Sequence, residues 1–262
     1  MLKKRLIPAL FIKNGLIVRS ENFDYHQFIG SVVHEAKRYS DWDVDELVYI
    51  DISREKEYDL RRDDYNLDAY YSMEEIIRKI AEVCFMPLAF GGGIRNLSDV
   101  DLRIRNGADK IILNTGAYET PELIGQTASK YGSQCVIVSV DYRMVDGKDQ
   151  VFTSFGTHAT GLTVNEWISR CEQEGAGEIF LNAIDRDGKG NGYDIETIES
   201  AVESTKLPVI ACGGAADEFD FQELAEEVEN LSGIAAGNLF HFTERSYPRA
   251  KKYLKENGIN VR

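Results

Sequence analysis

The chain has 262 residues, with 44 acidic against 30 basic side chains for a formal charge of −14, and it is 43% apolar and 28% charged. That acidity argues against indiscriminate binding to nucleic acid or to an anionic membrane surface. The apolar share belongs to a globular protein with a full core, and the length allows one or two units, since α/β barrels of roughly 250 residues fold as one.

From the amino end, Met1-Leu2-Lys3-Lys4-Arg5-Leu6-Ile7-Pro8 is basic but leads into no long apolar run with a small-residue cleavage site, so no export signal is expected. No run of about 18 uncharged apolar residues predicts a membrane span. Cysteines stand at 84, 135, 171 and 212 without a CxxC pair, among scattered His26, His34, His158 and His241. This spacing predicts neither a zinc site nor a disulfide framework and fits reduced thiols in the cytoplasm; no metal and no cofactor is expected.

In chain order, short apolar runs predict strands at 5–11, 46–51, 87–90, 110–115, 135–141, 178–183, 208–212 and 233–237. Between them, apolar residues three and four apart predict helices at 31–39, 72–83, 98–106, 121–131, 163–174, 194–205 and 219–230, with Ser72, Ser98 and Thr163 as candidate caps. Alternation of this kind predicts an α/β fold, a closed (β/α)₈ TIM barrel forming one domain over 1–262. An open doubly wound sheet would more often carry a Gly-rich turn after strand one, and none is there.

One phrase recurs: a small or acidic start, a charge, a short apolar run, then a polar residue, at Asp45-Glu46-Leu47-Val48-Tyr49-Ile50-Asp51, at Gly107-Ala108-Asp109-Lys110 through Asn114, and at Gly175-Ala176-Gly177-Glu178 through Asn182. Pro87 and Pro208 lie about 120 residues apart and Glu46 and Glu178 about 130, near half the chain, so the barrel is expected to be an internal duplication.

Barrel chemistry sits where strands end at their carboxyl side. Strand one ends in Phe11-Ile12-Lys13-Asn14-Gly15, strand two in Asp51, and strand five in Ser139-Val140-Asp141. Gly91-Gly92-Gly93 and Asn114-Thr115-Gly116 follow strands three and four; Gly213-Gly214 and Ala236-Gly237-Asn238 follow strands seven and eight. Glycines there let backbone N–H groups approach a phosphate. The pairing predicts two phosphate-type anion sites, which together would hold a molecule with an anion at each end. The long charged, tyrosine-rich link from Ser53 through Tyr71 is either a solvated loop or one that covers substrate or partner.

Along essentially its whole length the chain resembles the HisF family, the cyclase subunit of imidazole glycerol phosphate synthase. The motifs are Lys4-Arg5 through Ile7-Pro8, Asp45-Glu46-Leu47-Val48, Phe90-Gly91-Gly92-Gly93-Ile94-Arg95, Gly107-Ala108-Asp109-Lys110, Gly132-Ser133-Gln134-Cys135, Gly175-Ala176-Gly177-Glu178-Ile179, Asp185-Arg186-Asp187-Gly188 and Phe240-His241-Phe242. The resemblance implies a barrel that docks a HisH-like glutaminase on its amino-terminal face and passes ammonia to the opposite face, where it meets a phosphorylated or nucleotide-linked small molecule. It implies a channel gate at Arg5, Glu46, Lys110 and Glu178, a glutaminase contact at Asp109, and a catalytic Asp141. Gly92, Gly93, Asn114, Thr115, Asp187, Gly188, Gly213, Gly214, Gly237 and Asn238 are the implied phosphate-binding set.

The family pairs Asp141 with an aspartate ending strand one, where this chain has Phe11, and Phe cannot exchange a proton. Arg19 replaces a flexible-loop lysine, and Ala89, Asn182 and Ala183 stand where hydroxyl residues are common. The loss of that aspartate, the retained gate and the enlarged link, together with Phe240-His241-Phe242-Thr243-Glu244, resemble a side branch encoded with surface-polysaccharide genes. The resemblance implies there a glutamine amidotransferase assembly that hands ammonia to an ATP-dependent sugar amidotransferase, for amidination of an acetamido sugar. Two alternatives stand beside it: a cyclase of histidine biosynthesis using Asp141 with Asp51 or Asp185 as substitute acid, and a noncatalytic docking scaffold. Trp42, Trp167 and His241 read as packing residues.

Overall fold

The computed structural model describes residues 3–53, 58, 70–241 and 246–262. Most of the expected 53–71 link, and Phe242 to Glu244, therefore lie outside the described residues. Eight parallel strands form the barrel: β1 (Arg5–Lys13), β4 (Leu47–Asp51), β5 (Leu88–Gly91), β6 (Lys110–Leu113), β7 (Val136–Val145), β10 (Glu178–Ala183), β11 (Val209–Cys212) and β12 (Gly233–Ala236). They pair in that order, β12 returns to β1 with Ile7 opposite Ala235, and β10 sits on β7 with Phe180 opposite Ser139, so the sheet closes on itself.

Closure explains why the strands are apolar on both faces. Residues alternate between lumen and helical shell: Ile7, Ala9, Val48, Ala89, Ile112, Ile137, Phe180, Ile210 and Ala235 pack together inside, while Leu6, Leu10, Tyr49, Ile111, Val138 and Leu181 face the helices. The lumen between floor and mouth is thus a packed apolar layer.

The expected helices are α1 (Val32–Asp41), α2 (Met73–Ala81), α3 (Leu97–Asn106), α5 (Glu122–Tyr131), α6 (Val164–Glu174), α7 (Ile195–Ser204) and α8 (Glu218–Glu227). Ser72 caps α2 by accepting from Glu75 N, and Thr163 with Glu166 forms a reciprocal capping box on α6. Ser98 does not cap α3: Asn96 does, accepting from Asp99 N, because the helix starts at Leu97 and leaves Ser98 in its first turn. No helix among the described residues is long and apolar enough to cross a membrane.

Four further strands and two helices were not expected. Strand one runs past residue 11 into an antiparallel hairpin, β2 (Leu16–Glu21) and β3 (Tyr25–Ser31), and strand five runs past 141 into another, β8 (Lys148–Thr153) with the short β9 (His158–Ala159). Both rise from the carboxyl-terminal mouth, four barrel strands apart, as a duplicated half-barrel requires. Strand four ends at Leu113 rather than 115 because α4 (Thr115–Glu119) begins there, and α9 (Ser246–Glu256) packs beside α8, with Tyr247 OH donating to the Leu6 carbonyl of β1 at 3.0 Å.

Candidate active site

At the amino-terminal floor, β1, β6 and β10 each begin with a charged residue pointing inward, and Glu46 immediately precedes β4. Arg5 donates to Glu46 at 2.5 Å and to Glu178; Lys110 donates to the same two carboxylates at 2.8 and 2.9 Å. Each group in the ring has two neighbours of opposite sign, the condition under which buried charge is tolerated. Burial alone would lower the Arg5 guanidinium, but the hydrogen bonds and charge of Glu178 and Glu46 outweigh it and hold it above its usual range. Below the ring opens a cavity of about 510 Å³ bordered by Lys3, Gln134 and Arg262.

Asp109 stands on the same face, exposed, beside a second cavity that includes Phe85, itself 87% exposed. Its carboxylate accepts from Leu88 N at 2.9 Å, and Asp45 likewise accepts from Leu6 N, so these acids also fix where neighbouring barrel strands begin.

At the opposite mouth, Asp141 is buried between Ser139, whose hydroxyl donates to it at 3.0 Å, and Asn182, whose amide donates at 3.2 Å. Burial pushes its carboxyl up to about 6, against the opposing pull of those two hydrogen bonds. A carboxyl poised there exchanges protons near neutral pH. Asp51 ends β4 and Asp185 follows β10; the former accepts from Ser53 N and Tyr58 OH at 2.9 Å and the latter from Met144 N at 3.0 Å. Asp51 alternates with the inward Ile50, so β4 turns its carboxyl toward the shell, beside Arg103.

The glycine turns repeat between halves. A Cβ on Gly92 would lie 2.1 Å from the Asp51 carbonyl oxygen, and one on Gly213 would lie 2.6 Å from that of Ala183; both have positive φ, +96° and +99°. Each turn therefore folds tightly over the end of the preceding strand, where only glycine fits. Gly93 lies at φ +65° and Gly214 at φ +109°. Gly92, Asn114 and Thr115 line a cavity of about 70 Å³ together with Asp141; Gly188, Gly213, Gly214 and Gly237 line one of about 330 Å³.

Polar side chains of the expected phosphate set are engaged elsewhere. Asn114 donates to the Ser139 carbonyl and Thr115 accepts from Ser154 N. Asp187 accepts from Ser20 Oγ at 2.6 Å and Phe23 N at 3.1 Å, and the Asn238 amide is bonded to both backbone groups of Ser20. Asp187 and Asn238 thereby clamp the β2–β3 hairpin over the mouth, and the cavity they border is lined as well by Lys189 and by the glycine turn at Gly213 and Gly214. Burial raises the Asp187 carboxyl.

Two residues of the mouth escaped the sequence reading. Phe23 packs edge-on against Phe11 at 5.7 Å and joins it in an apolar cluster with Val18, Ile50 and Ile52. Asn22 and Phe23 both have φ near +57°, a left-handed backbone that costs non-glycine residues about 1–2 kcal/mol each. Arg103, buried in α3, donates to the Gly92 carbonyl at 2.8 Å and to that of Asp99 at 3.0 Å, and its Nε has no partner among the described residues. Residues 22–23 stand in no apolar pattern, and Arg103 occupies a helix position where a charge reads as solvent-facing.

Trp167 and Trp42 pack as expected, edge-on to Tyr118 at 5.7 Å and Tyr39 at 5.5 Å. His241 is buried 3.9 Å from Glu35, and burial followed by the charge of Arg38 pushes its pKa down to about 4.

The family model described as histidine biosynthesis protein matches residues 5–246. Proteins named imidazole glycerol phosphate synthase subunit HisF align over the full 262 residues: one from Natranaerobius thermophilus at 37% identity, spanning 100% of both chains, and one from Thermotoga sp. strain RQ2 at 38%, spanning 98% of that protein. A third, from Dehalococcoides mccartyi strain BAV1, is 37% identical over 99% of its length. These names favour the cyclase of histidine biosynthesis, the second of the sequence readings, and none of them speaks of a polysaccharide. Matched over nearly its whole length by that family model and by these relatives, the chain belongs to the histidine biosynthesis protein family and is of HisF type.

Proposed function

We propose that the chain is the synthase-type subunit of a glutamine amidotransferase. A HisH-like glutaminase docks at Asp109 and the floor cavity, and ammonia enters at the ring of Arg5, Glu46, Lys110 and Glu178. It reacts at the mouth with a phosphate-bearing ligand held by the glycine turns. One observation carries this reading: a ring of four fully paired charges and a carboxyl lifted to about 6 stand at opposite ends of the same barrel. Between them lies the packed apolar layer. Neutral ammonia crosses such a layer far more readily than ammonium, whose charge is costly to desolvate. Transit requires those side chains and the ring to yield transiently, since the layer is closed in the structure.

The acceptor chemistry supported by the relatives' names is that of imidazole glycerol phosphate synthase, with Asp141 as proton carrier. The chain coexpressed with a HisH-type glutaminase is assayed for glutamine-dependent cyclase turnover and for rescue of a histidine auxotroph lacking its cyclase subunit. Turnover with rescue supports the cyclase; loss of both in Asp141→Asn assigns the carboxyl.

Phe11 favours a second reading, in which ammonia is handed on to an ATP-dependent sugar amidotransferase for an acetamido sugar. No carboxyl faces Asp141 from strand one, and removing a positioned acid–base group costs roughly 10²–10⁴-fold. Glutaminase stimulation without cyclase turnover or rescue, together with turnover appearing in Phe11→Asp, selects this reading. Glutaminase binding without coupled ammonia transfer sinks both and leaves a docking scaffold.

A further inference from the structure

We propose that Arg103 is a positioning residue of the mouth: through the Gly92 carbonyl it fixes the peptide between Gly92 and Gly93 so that the Gly93 N–H faces an anionic end of the ligand. This rests on reading the glycine turns as phosphate-holding and adds a residue that itself lines neither mouth cavity. Arg103 Nη2 donates to the Gly92 carbonyl at 2.8 Å. A trans peptide is planar and its N–H points opposite to its C=O, so holding that carbonyl toward α3 turns the Gly93 N–H away from α3. Gly93 is exposed, and its N–H donates to no group among the described residues, which leaves it open to a ligand.

The other half of the duplicated barrel shows that the fold alone does not call for this arginine. Asn96 caps α3 and Asp217 caps α8 at the same spacing that separates Gly92 from Gly213. In that register the residue of α8 answering to Arg103 is Leu224, wholly buried. A leucine fills the space between helix and sheet without desolvating a charge. Arg103 is only 7% exposed, and burial draws its guanidinium below its usual range, against the opposing charges of Asp99 and Asp51. Its bond to the Asp99 carbonyl stays within its own helix, and its Nε has no partner among the described residues, so the Gly92 carbonyl is the hydrogen-bond partner it reaches beyond α3. The second turn is anchored otherwise: Gly192 N, from the loop after β10, donates to the Gly214 carbonyl at 3.0 Å.

Charge alone does not account for Arg103. Arg95 lines the Gly92 cavity together with Asn114 and Thr115, so a guanidinium already stands at that end of the mouth. The Asp51 carboxylate beside Arg103 offsets part of its field. What Arg103 adds is direction. A Gly-Gly peptide left to itself presents its carbonyl oxygen as readily as its N–H, and an oxygen there repels a phosphate. With the carbonyl held in advance, the ligand does not have to order the turn as it binds.

Amide NMR of the full chain carrying isotope-labelled glycine, titrated with inorganic phosphate, reads the two turns separately. In wild type the Gly93 and Gly214 amides are both expected to shift. Arg103→Leu installs the side chain that the other half carries; the dissociation constant read at Gly93 is expected to rise about tenfold, while that read at Gly214 stays within about twofold. The Gly93 nitrogen resonance is also expected to move before any phosphate is added, because the bond on the preceding carbonyl is gone. Arg103→Lys, which keeps the charge and a donor, is expected to lose about threefold, at Gly93 alone. Should Arg103→Leu fail to fold, Arg103→Lys decides: a larger loss at Gly93 than at Gly214 supports the role, and equal losses overturn it. An Arg103→Leu protein whose affinity at Gly93 stays within about twofold of wild type, or falls by one factor at both turns, overturns the positioning role alone, as does a wild type that shifts only at Gly214. A wild type in which neither turn responds overturns the glycine turns as anion sites, and the role of Arg103 with them.

Discussion

At the floor of the barrel four side chains of alternating sign give one another two partners apiece, and the guanidinium among them is held more firmly protonated than in water. At the mouth Asp141 is as deeply buried but receives only a hydroxyl and an amide, both neutral, and its carboxyl is pushed the other way, toward the uncharged form. One barrel thus compensates buried charge at one end and leaves it uncompensated at the other. The difference separates a closure that must stay charged from a group able to change its charge, which is what a proton carrier requires.

Removing one member of the ring breaks the comparison most forcibly. Arg5→Met leaves Glu46 and Glu178 buried with Lys110 alone between them, and such orphaning costs about 3–5 kcal/mol. For a chain of this length that lowers the unfolding midpoint by roughly 10 °C in a thermal scan. Lys110→Met with Glu178→Gln removes one charge of each sign, and the pair is expected to cost less than the two single changes added together. Additivity would show that the four groups do not act as a unit.

Asp141→Asn tests the other end. The folded carboxyl titrates near 6 and the unfolded one near 3.8, so the folded state holds the extra proton between those values. Stability from this group is fully present below about 4, falls as pH rises through 6, and is flat above. The variant loses that slope, and at pH 7 it is more stable than wild type by roughly 1–3 kcal/mol while cyclase turnover, where present, falls roughly 10²–10⁴-fold. Parallel denaturant curves at pH 4 and pH 7 measure it. The depressed pKa of His241, near 4, acts with opposite sign in both proteins and cancels from the difference.

The two glycine turns give a smaller effect that asks whether the halves are equivalent. Gly92→Ala and Gly213→Ala each force a Cβ into a carbonyl oxygen of the strand before, on top of about 1–2 kcal/mol for the left-handed backbone. Gly147→Ala, at φ +75° with nothing within 4 Å, bears the backbone cost alone. Both turn variants are therefore expected to unfold at lower urea than Gly147→Ala, and by similar margins.

The barrel was legible in the sequence because strands buried on both faces have no polar alternation to blur them, and because charges at their first residues recur at half-chain spacing. Glu46 and Glu178 announced themselves by repetition. Phe11 was visible as a departure, but its partner was not: Phe23 reaches the mouth through two left-handed residues in a turn, held by Asp187 and Asn238 from more than 160 residues away in sequence. Those two polar residues were expected at phosphate, since a side chain beside a glycine turn looks the same in sequence whether it faces a ligand or grips a neighbouring hairpin. Arg103 was invisible for a related reason: a helix places one charge toward the sheet only if a buried carbonyl awaits it, and the Gly92 carbonyl exists only in the fold.

The smallest expected effect is the most local. Asn238 holds the β2–β3 hairpin by accepting from Ser20 N and donating to Ser20 O, while Asp187 holds the same hairpin through Ser20 Oγ and Phe23 N. The floor cannot lose one contact without leaving a bare charge, but the hairpin can, because the partner it loses is neutral and Asp187 still holds it through Ser20 Oγ and Phe23 N. Asn238→Ala is therefore expected to cost about 1 kcal/mol, confined to residues 16–31. In native-state hydrogen exchange the amides of the hairpin lose about fivefold in protection, and those of β1 and β10 lose none. A loss that spread to the barrel strands would mean that hairpin and barrel open together, and the mouth would then be no more independent of the fold than the ring beneath it.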